Sequence, residues 1–279
     1  MSTTTSSTTI DYSQYEVYIE SIQANIIGKL FESLNANVGS INIWFTPQHM
    51  TSASQDASHQ CDCFLRLENR HNNFEHYYVE NTVSVGINVP LLYKLIKDSI
   101  KSKNTIVMYV KKEEDQKFYI RVNNQSSSDC SAVKLLNIQQ PELRLPNVNY
   151  RTVLSLSSQS FLQFCKTCGS TGTDYIRIGI NPHEREFYVE SFGQTNPGYK
   201  SIILNESNDS GLLFRSVGDE IFSSIFTLRL CHNIAKSYVL SDHVHIYLEP
   251  NQPIVFQYDC GNLGSIKFFL YPMNEQMMN

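Results

Sequence analysis

The chain has 279 residues, 41% of them hydrophobic and 18% charged, with a formal net charge of −5. That length suits one large or two medium domains with a substantial core, and the apolar runs, GLLF (211–214) and KFFLYP (267–272) among them, fall far short of the ~20 residues of a membrane helix. An acidic average taken alone argues against nucleic acid, and seven cysteines without framework spacing fit reduced thiols in a reducing compartment.

The first segment, MSTTTSSTTIDYSQ (1–14), is rich in Ser and Thr with no basic start and no hydrophobic stretch. It reads as a disordered tail, not a signal peptide, and the chain is expected to stay inside the cell. From Tyr15 short β-like runs follow: YEVYIESI, SINIWFTP, CFLRLEN and HYYVENTVSVGI. Two stretches break that period. ANIIGKLFESLNA (24–36) places Ile27, Leu30, Phe31 and Leu34 at helical spacing, and VPLLYKLIKDSIKSK (89–103) makes one stripe of Leu91, Leu92, Leu95, Ile96 and Ile100 with Pro90 in its first turn. TIVMYVKK, KFYIRVNN and SAVKLLNI read as strands.

KLLNIQQPELRLPNVNY (134–150) then interrupts the pattern. Pro141 and Pro146 prevent a helix or a central strand from running through it, yet five Leu or Ile residues lie in it. Beyond it the same grammar starts again. YRTVLSLS reads as a strand, SSQSFLQFCKTCG (157–169) as a helix with Phe161, Phe164, Cys165 and Cys168 on one face, YIRIGI, EFYVES and YKSIIL as strands, and IFTLRLCHNIAKS (225–237) as a fourth helix. HVHIYLEP, PIVFQYDC and SIKFFLYP close the chain. The expectation is a duplicated α+β fold with two short helices per domain packed on antiparallel sheets: domain 1 over 15–136, a connector over 137–149, domain 2 over 150–272 and a C-terminal tail over 273–279.

Charge is distributed unevenly. Segment 24–36 is neutral with Lys29 and Glu32; segment 89–103 has Lys94, Lys97, Lys101 and Lys103 against Asp98; segment 157–169 adds Lys166, and segment 225–237 adds Arg229 and Lys236 without an acid. The four helices together carry +6, which leaves −11 on the rest of the chain. If they share one surface, that surface suits a polyanion held through phosphates without base reading. The plainer alternative is four ordinary solvated helix faces.

Enzyme motifs are absent: the sequence has no P-loop, GxSxG, HExxH or paired-carboxylate pattern, so neither catalysis nor a cofactor is expected. Cys165 with Cys168 and Cys61 with Cys63 allow a four-thiolate zinc site on paper, but the first pair shares the apolar face of Phe161, which favours core packing. His243 and His245 share one strand face with no third ligand nearby.

Several stretches resemble the proliferating cell nuclear antigen (PCNA) family of DNA sliding clamps: HYYVENTVSVGINVPLLYKLIK with Gly86, Ile87 and Asn88 at its junction, SSQSFLQFCKTC, FTLRLCHNIAKSYVLSDHVHIYL, and the ending YDCGNLGSIKFFLYP, all in the family's order. The resemblance spans about Tyr15 to Pro272. It implies a ring-forming clamp (processivity) fold, three copies of which enclose duplex DNA, with DNA polymerase and other client proteins, a clamp loader and further copies of the chain as partners, no catalysis and no membrane. A nuclear location follows for a cellular clamp, and a viral replication factory in the host cytoplasm or nucleus for a viral one. The family's channel-facing basic residues match Lys29, Lys94, Lys97, Lys166, Arg229 and Lys236, while Gln163 and Asn35 stand where a basic residue is usual. Ring closure would pair the strand near Asp129 to Leu136 with that near Gly198 to Leu204 of the next subunit.

The family's client pocket takes a short motif containing a Gln, an aliphatic residue and two aromatics. It matches Leu143, Leu145, Pro146 and Tyr150 on the connector, Pro253 on a late strand, Phe269, Tyr271 and Pro272 at the end, and His59 on the far wall. An ordinary interface between the two domains is the alternative for these side chains. Gln55, Gln60 and Asp62 depart from the apolar residues usual there, so either the local match is shifted or the pocket is more polar. A clamp-like subunit of a checkpoint-type mixed ring, or a viral clamp-like transcription factor that does not act with a polymerase, is the competing function.

Overall fold

The structure, a computed structural model, describes residues 10–70, 73–98, 100, 104–139, 148–192, 199–206 and 211–273. The first half runs β1 (Tyr15–Ser21), α1 (Ala24–Asn37), β2 (Ser40–Phe45), β3 (His49–Gln55), β4 (Cys61–Glu68), β5 (His76–Val79), β6 (Val83–Asn88), α2 (Val89–Ile96), β7 (Thr105–Lys111), β8 (Glu114–Asn123) and β9 (Ser128–Lys134). The second half repeats that order: β10 (Thr152–Ser157), α3 (Ser158–Gly169), β11 (Tyr175–Asn181), β12 (Glu186–Phe192), β13 (Ser201–Asn205), β14 (Leu213–Ser216), β15 (Phe222–Thr227), α4 (Leu228–Ala235), β16 (His243–Leu248), β17 (Ile254–Asp259) and β18 (Gly264–Leu270). The fold is thus the duplicated α+β arrangement, with two short helices in each half.

Local chemistry explains the helices. Ile27, Leu30, Phe31 and Leu34 bury one face of α1, and Phe161, Cys165 and Cys168 bury one face of α3, so those two thiols are core residues. The Asn88 side chain accepts from the Leu91 amide and caps α2, with Pro90 in the first turn. Two helix boundaries differ from the sequence expectation. Regular α2 ends at Ile96, with single bonds from Lys97 N–H to Tyr93 and from Ile100 N–H to Ile96 beyond it; Lys101 and Lys103 lie outside the described residues. Residues 225–227 belong to β15, because Ile225, Phe226 and Thr227 stay paired in register opposite Arg177, Ile176 and Tyr175, and the helix starts only after Thr227.

The N-terminal segment is also shorter as a tail than expected. Residues Tyr12–Gln14 form a 3-10 turn capped by Asp11, and Tyr12 stacks on Tyr78 at 4.8 Å and meets Tyr18 edge-on at 5.8 Å. Aromatic burial in a small second cluster therefore fixes residues that composition alone assigned to a tail.

Sheet order exposes the duplication. The first half supplies a five-stranded sheet β5-β1-β7-β8-β9, and the second half supplies its counterpart β14-β10-β16-β17-β18. The other strands form β6-β2-β3-β4 in the first half and β15-β11-β12-β13 in the second. Registers match as well: Tyr18, Tyr109, Tyr119 and Ala132 lie in one row across β1, β7, β8 and β9, as Val153, Tyr247, Val255 and Phe269 do across β10, β16, β17 and β18.

The halves are joined where β18 pairs with β4 over seven residues, Gly264 opposite Leu67 through Leu270 opposite Cys61, fusing two sheets into one of nine strands. A continuous core with residues from both halves lies between the sheets and the helices. On the first half the chain leaving β9 is tied to β6: the Leu136 N–H bonds to Gly86, and the Leu136 carbonyl lies 2.0 Å from where a Cβ at Gly86 would be, so only glycine fits there.

Candidate nucleic-acid interface and partner groove

All four helices meet in one layer. Helix α1 packs on α2 within its half and on α4 across the joint, and α3 packs on α4. The crossing between halves is stitched by a buried hydrogen bond between the Ser33 and Ser237 hydroxyls at 2.6 Å and by the Asn37 amide donating to the Asn233 carbonyl at 3.3 Å.

The expected basic residues lie on this layer. Lys94, Lys97, Lys166, Arg229 and Lys236 are exposed, and Lys29 is half-buried on α1. Lys166 and Lys236, with His232, line one open groove of about 610 Å³ together with Glu32, Asn35 and Tyr93, so residues from both halves share it. Arg229 and Lys166 line a neighbouring cleft of about 650 Å³. Among the described residues none of the six basic groups makes a salt bridge; the Lys236 ammonium donates to Asn233 Oδ1 at 3.1 Å. Their charge is available to an outside anion. Burial, and then the ammonium groups of Lys236 and Lys166, lower the pKa of His232, which therefore adds no charge at neutral pH.

The second constellation lies on the outward face of the nine-stranded sheet. Tyr247, Val255, Phe269, Asp62 and Gln55 form one row across β16, β17, β18, β4 and β3. Tyr150 stands against it, its ring 6.0 Å from Tyr247 and its hydroxyl donating to the Pro253 carbonyl at 3.0 Å. Burial, with the nearby Glu249, pushes the Tyr150 phenol up to about 12, so it stays a neutral donor. Tyr271 follows β18, anchored by its N–H to the Gln60 carbonyl at 2.9 Å and by its hydroxyl to Asp62 Oδ2 at 2.9 Å. Pro253 and Phe269 are buried and Pro272 is exposed beside them. The structure thus brings Tyr150, Pro253, Phe269, Tyr271 and Pro272 together; Leu143, Leu145 and Pro146 lie outside the described residues.

His59 sits at the rim in a tight turn with φ 57°, set by Asp56, whose carboxylate accepts from the amides of Ser58, Gln60 and Cys61 at 2.8–2.9 Å. The three polar departures now have distinct places. Gln60 turns toward the second half, accepting from the Thr227 hydroxyl at 2.8 Å, so Thr227 does not cap α4. Gln55 donates Nε2–H to Asp62 Oδ1 at 2.8 Å, which leaves its Oε1 to accept from His59 Nδ1. Since a carboxylate only accepts, this assigns the Nδ1–H tautomer to His59. Tyr247 and Val255 were not singled out from the sequence; Val255 lies opposite Phe269, and Tyr247 opposite Val255, in the same row. His245 lies on the same face, 3.6 Å from Asp259.

Among the sheet edges of the described residues, two correspond to the strands of the joint. Strand β9 is the last of the five-stranded sheet and β13 the last of the four-stranded one, and Ile203 on β13 is 59% exposed. These are the counterparts, with halves exchanged, of the joined strands β18 and β4. The helices show the same imbalance. Leu230 and Ile234 are buried in α4, whereas Leu91 and Leu95, at the matching distances from the cap of α2, are 47% and 41% exposed.

A duplicated α+β chain with its helices in one layer and complementary open sheet edges has the architecture of a sliding clamp protomer. Profiles of the family agree over nearly the whole length: "Proliferating cell nuclear antigen, N-terminal domain" matches residues 17–142 and "Proliferating cell nuclear antigen, C-terminal domain" residues 144–273. The chain belongs to the proliferating cell nuclear antigen family. It is similar to the probable DNA polymerase sliding clamp 1 of Paramecium bursaria Chlorella virus 1, 23% identical over 258 residues that cover 92% of this chain and 96% of that one. It is also 23% identical over 260 residues to the proliferating cell nuclear antigen of Dictyostelium discoideum, covering 91% and 98%. The crystal structure of the Entamoeba histolytica antigen shares its fold with TM-score 0.83 at 21% identity, covering 93% of this chain and all of that one.

Proposed function

We propose that three copies of the chain close head to tail into a ring around duplex DNA and hold a DNA polymerase and other replication and repair proteins at their substrate. One observation carries this reading: within a single chain the joint β18:β4 is made, and the matching edges β9 and β13 are left open together with the bare leucines of α2. A second copy offers β13 to β9, and its α3 to Leu91 and Leu95 as α1 is offered to α4. Both halves of that joint are on this chain, which favours a ring of identical subunits over a mixed one. Pairing also removes two exposed edges that otherwise invite aggregation.

In such a ring the helix layer faces the channel, and Lys29, Lys94, Lys97, Lys166, Arg229 and Lys236 meet backbone phosphates without reading bases. Enclosure does the holding, so a modest lining of cations is enough, and tighter contact would slow sliding. Opening the ring to admit DNA is the task of a clamp loader. The groove of Tyr150, Pro253, Phe269, Tyr271, Pro272 and His59, completed by Leu143, Leu145 and Pro146, receives client peptides, and tethering raises the client's effective concentration at the primer end. The ring acts where the DNA is copied, in a nucleus or a viral replication factory.

Light scattering with a primer-extension assay tests the reading. The expected mass is about 96 kDa, three times the 32.0 kDa chain, with longer products from a partner polymerase. A strictly monomeric protein that leaves product length unchanged would overturn it and favour a clamp-like subunit without polymerase function.

A further inference from the structure

The floor of the partner groove carries a charge that its surroundings do not balance. Asp62 is only 3% exposed, and its carboxylate rests on two neutral donors, Gln55 Nε2 at 2.8 Å and the Tyr271 hydroxyl at 2.9 Å. No ion pair reaches it among the described residues. Two cations on strands β18 and β4 of this sheet face, Lys267 and Arg66, are engaged elsewhere. Lys267 holds its ammonium 5.6 Å over the Tyr247 ring, two strands away on the side opposite β4, and Arg66 donates to Glu68 at 2.7 Å.

A carboxylate removed from water is costly unless charged or multiple donors hold it, and this one has lone pairs left over. The walls around it are apolar or aromatic: Phe269 directly opposite, Val255 and Tyr247 beyond, Tyr150 and Pro253 alongside. Its cover Tyr271 is a half-buried side chain just beyond β18, so rotation of its ring opens the carboxylate to the groove while Gln55 stays in place. What the groove lacks is a cation, and a partner can bring one.

We propose that the groove selects a partner peptide that places a lysine or arginine side chain over Asp62 while its aromatic residues pack on the accessible faces of Tyr150 and Pro272. This rests on the client-groove reading above and adds the chemistry that the groove recognises. The Nδ1–H of His59, through the Gln55 amide, keeps Gln55 Nε2 turned to Asp62, so the carboxylate keeps its orientation for the incoming cation.

The test uses the full chain and a short fluorescein-labelled peptide carrying Gln, one variable residue and two adjacent aromatics, with lysine or norleucine at the variable position. Norleucine keeps the four-carbon stem of the lysine side chain and removes its ammonium group. Fluorescence anisotropy is read for the wild type, Asp62→Asn and Asp62→Leu. The lysine peptide is expected to bind the wild type about tenfold more tightly, the gain of one charged hydrogen bond in a dry site. That preference disappears in Asp62→Asn and reverses in Asp62→Leu, with melting temperature and assembly unchanged in Asp62→Asn. Should Asp62→Leu fail to fold, the isosteric Asp62→Asn decides alone.

A wild type that prefers norleucine overturns the proposal and leaves the groove reading intact. Equal weakening of both peptides by the substitutions also overturns it, since Asp62 would then serve only to position Tyr271. Failure of both peptides to bind the wild type sinks the groove reading together with the inference.

Discussion

Leu91→Ala combined with Leu95→Ala tests the helix part of the proposed joint. Each leucine leaves close to half of its surface in water, so covering the rest in a ring is worth about 1 kcal/mol, half the value of a whole leucine. Two leucines give about 2 kcal/mol per joint, which is about thirtyfold in the affinity of one subunit for the next. Because about half of each side chain is also buried in the single chain, its folding stability falls by about 1 kcal/mol per leucine. The matching positions in α4 give the contrast: Leu230→Ala or Ile234→Ala empties a buried site and costs about 2–5 kcal/mol of folding. Light scattering over a dilution series reads the first effect and circular dichroism melts read the second. An assembly midpoint that stays put in the α2 double variant would refute the reasoning, as would a melting temperature that falls as far for either α2 leucine alone as it does for Leu230→Ala.

Removing Lys166 or Lys236 takes three charges from a ring, so the slope of the logarithm of DNA affinity against the logarithm of salt falls by up to about 3 for each substitution, with no change in sequence preference; an unaltered slope places these side chains away from DNA. Hydrogen bonds from the Tyr119 hydroxyl, then Lys117 and Lys111, hold the Glu114 carboxyl down at about 2. Its contribution is therefore present above the unfolded value of 4.5 and is lost as pH falls toward 2, so the gap in melting temperature between wild type and Glu114→Gln narrows across that window, whereas a constant gap contradicts the assignment. Of the seven cysteines only Cys130 is exposed, and burial raises the thiols of Cys61, Cys63, Cys165, Cys168, Cys231 and Cys260. Native alkylation followed by mass spectrometry should stop at one adduct per chain, on Cys130.

Local signals made much of the fold legible. The apolar stripes of 24–36 and 157–169 gave α1 and α3 within a residue, since a helix writes its buried face into nearby positions. The start of α4 was misplaced because Ile225, Phe226 and Thr227 stay paired with β11, a long-range contact, and only the extended backbone at Thr227 marks the switch. Long-range pairing was not legible. That β18 joins β4 depends on residues some two hundred positions apart, and no local period records it. For the same reason Gln55 and Asp62 read as departures from an apolar wall; their sense comes from Tyr271, which meets Asp62 only after both strands are in register. The basic residues were legible as a charge asymmetry among helices, because helical spacing fixes the face even before the layer is assembled.

Electron microscopy of the purified chain tests ring closure most directly. The expected particles are closed and three-lobed, with a central channel wide enough for duplex DNA and each joint bridged by β9 of one subunit and β13 of the next. Single lobes at concentrations well above the assembly midpoint, or particles joined through other edges, would contradict that closure.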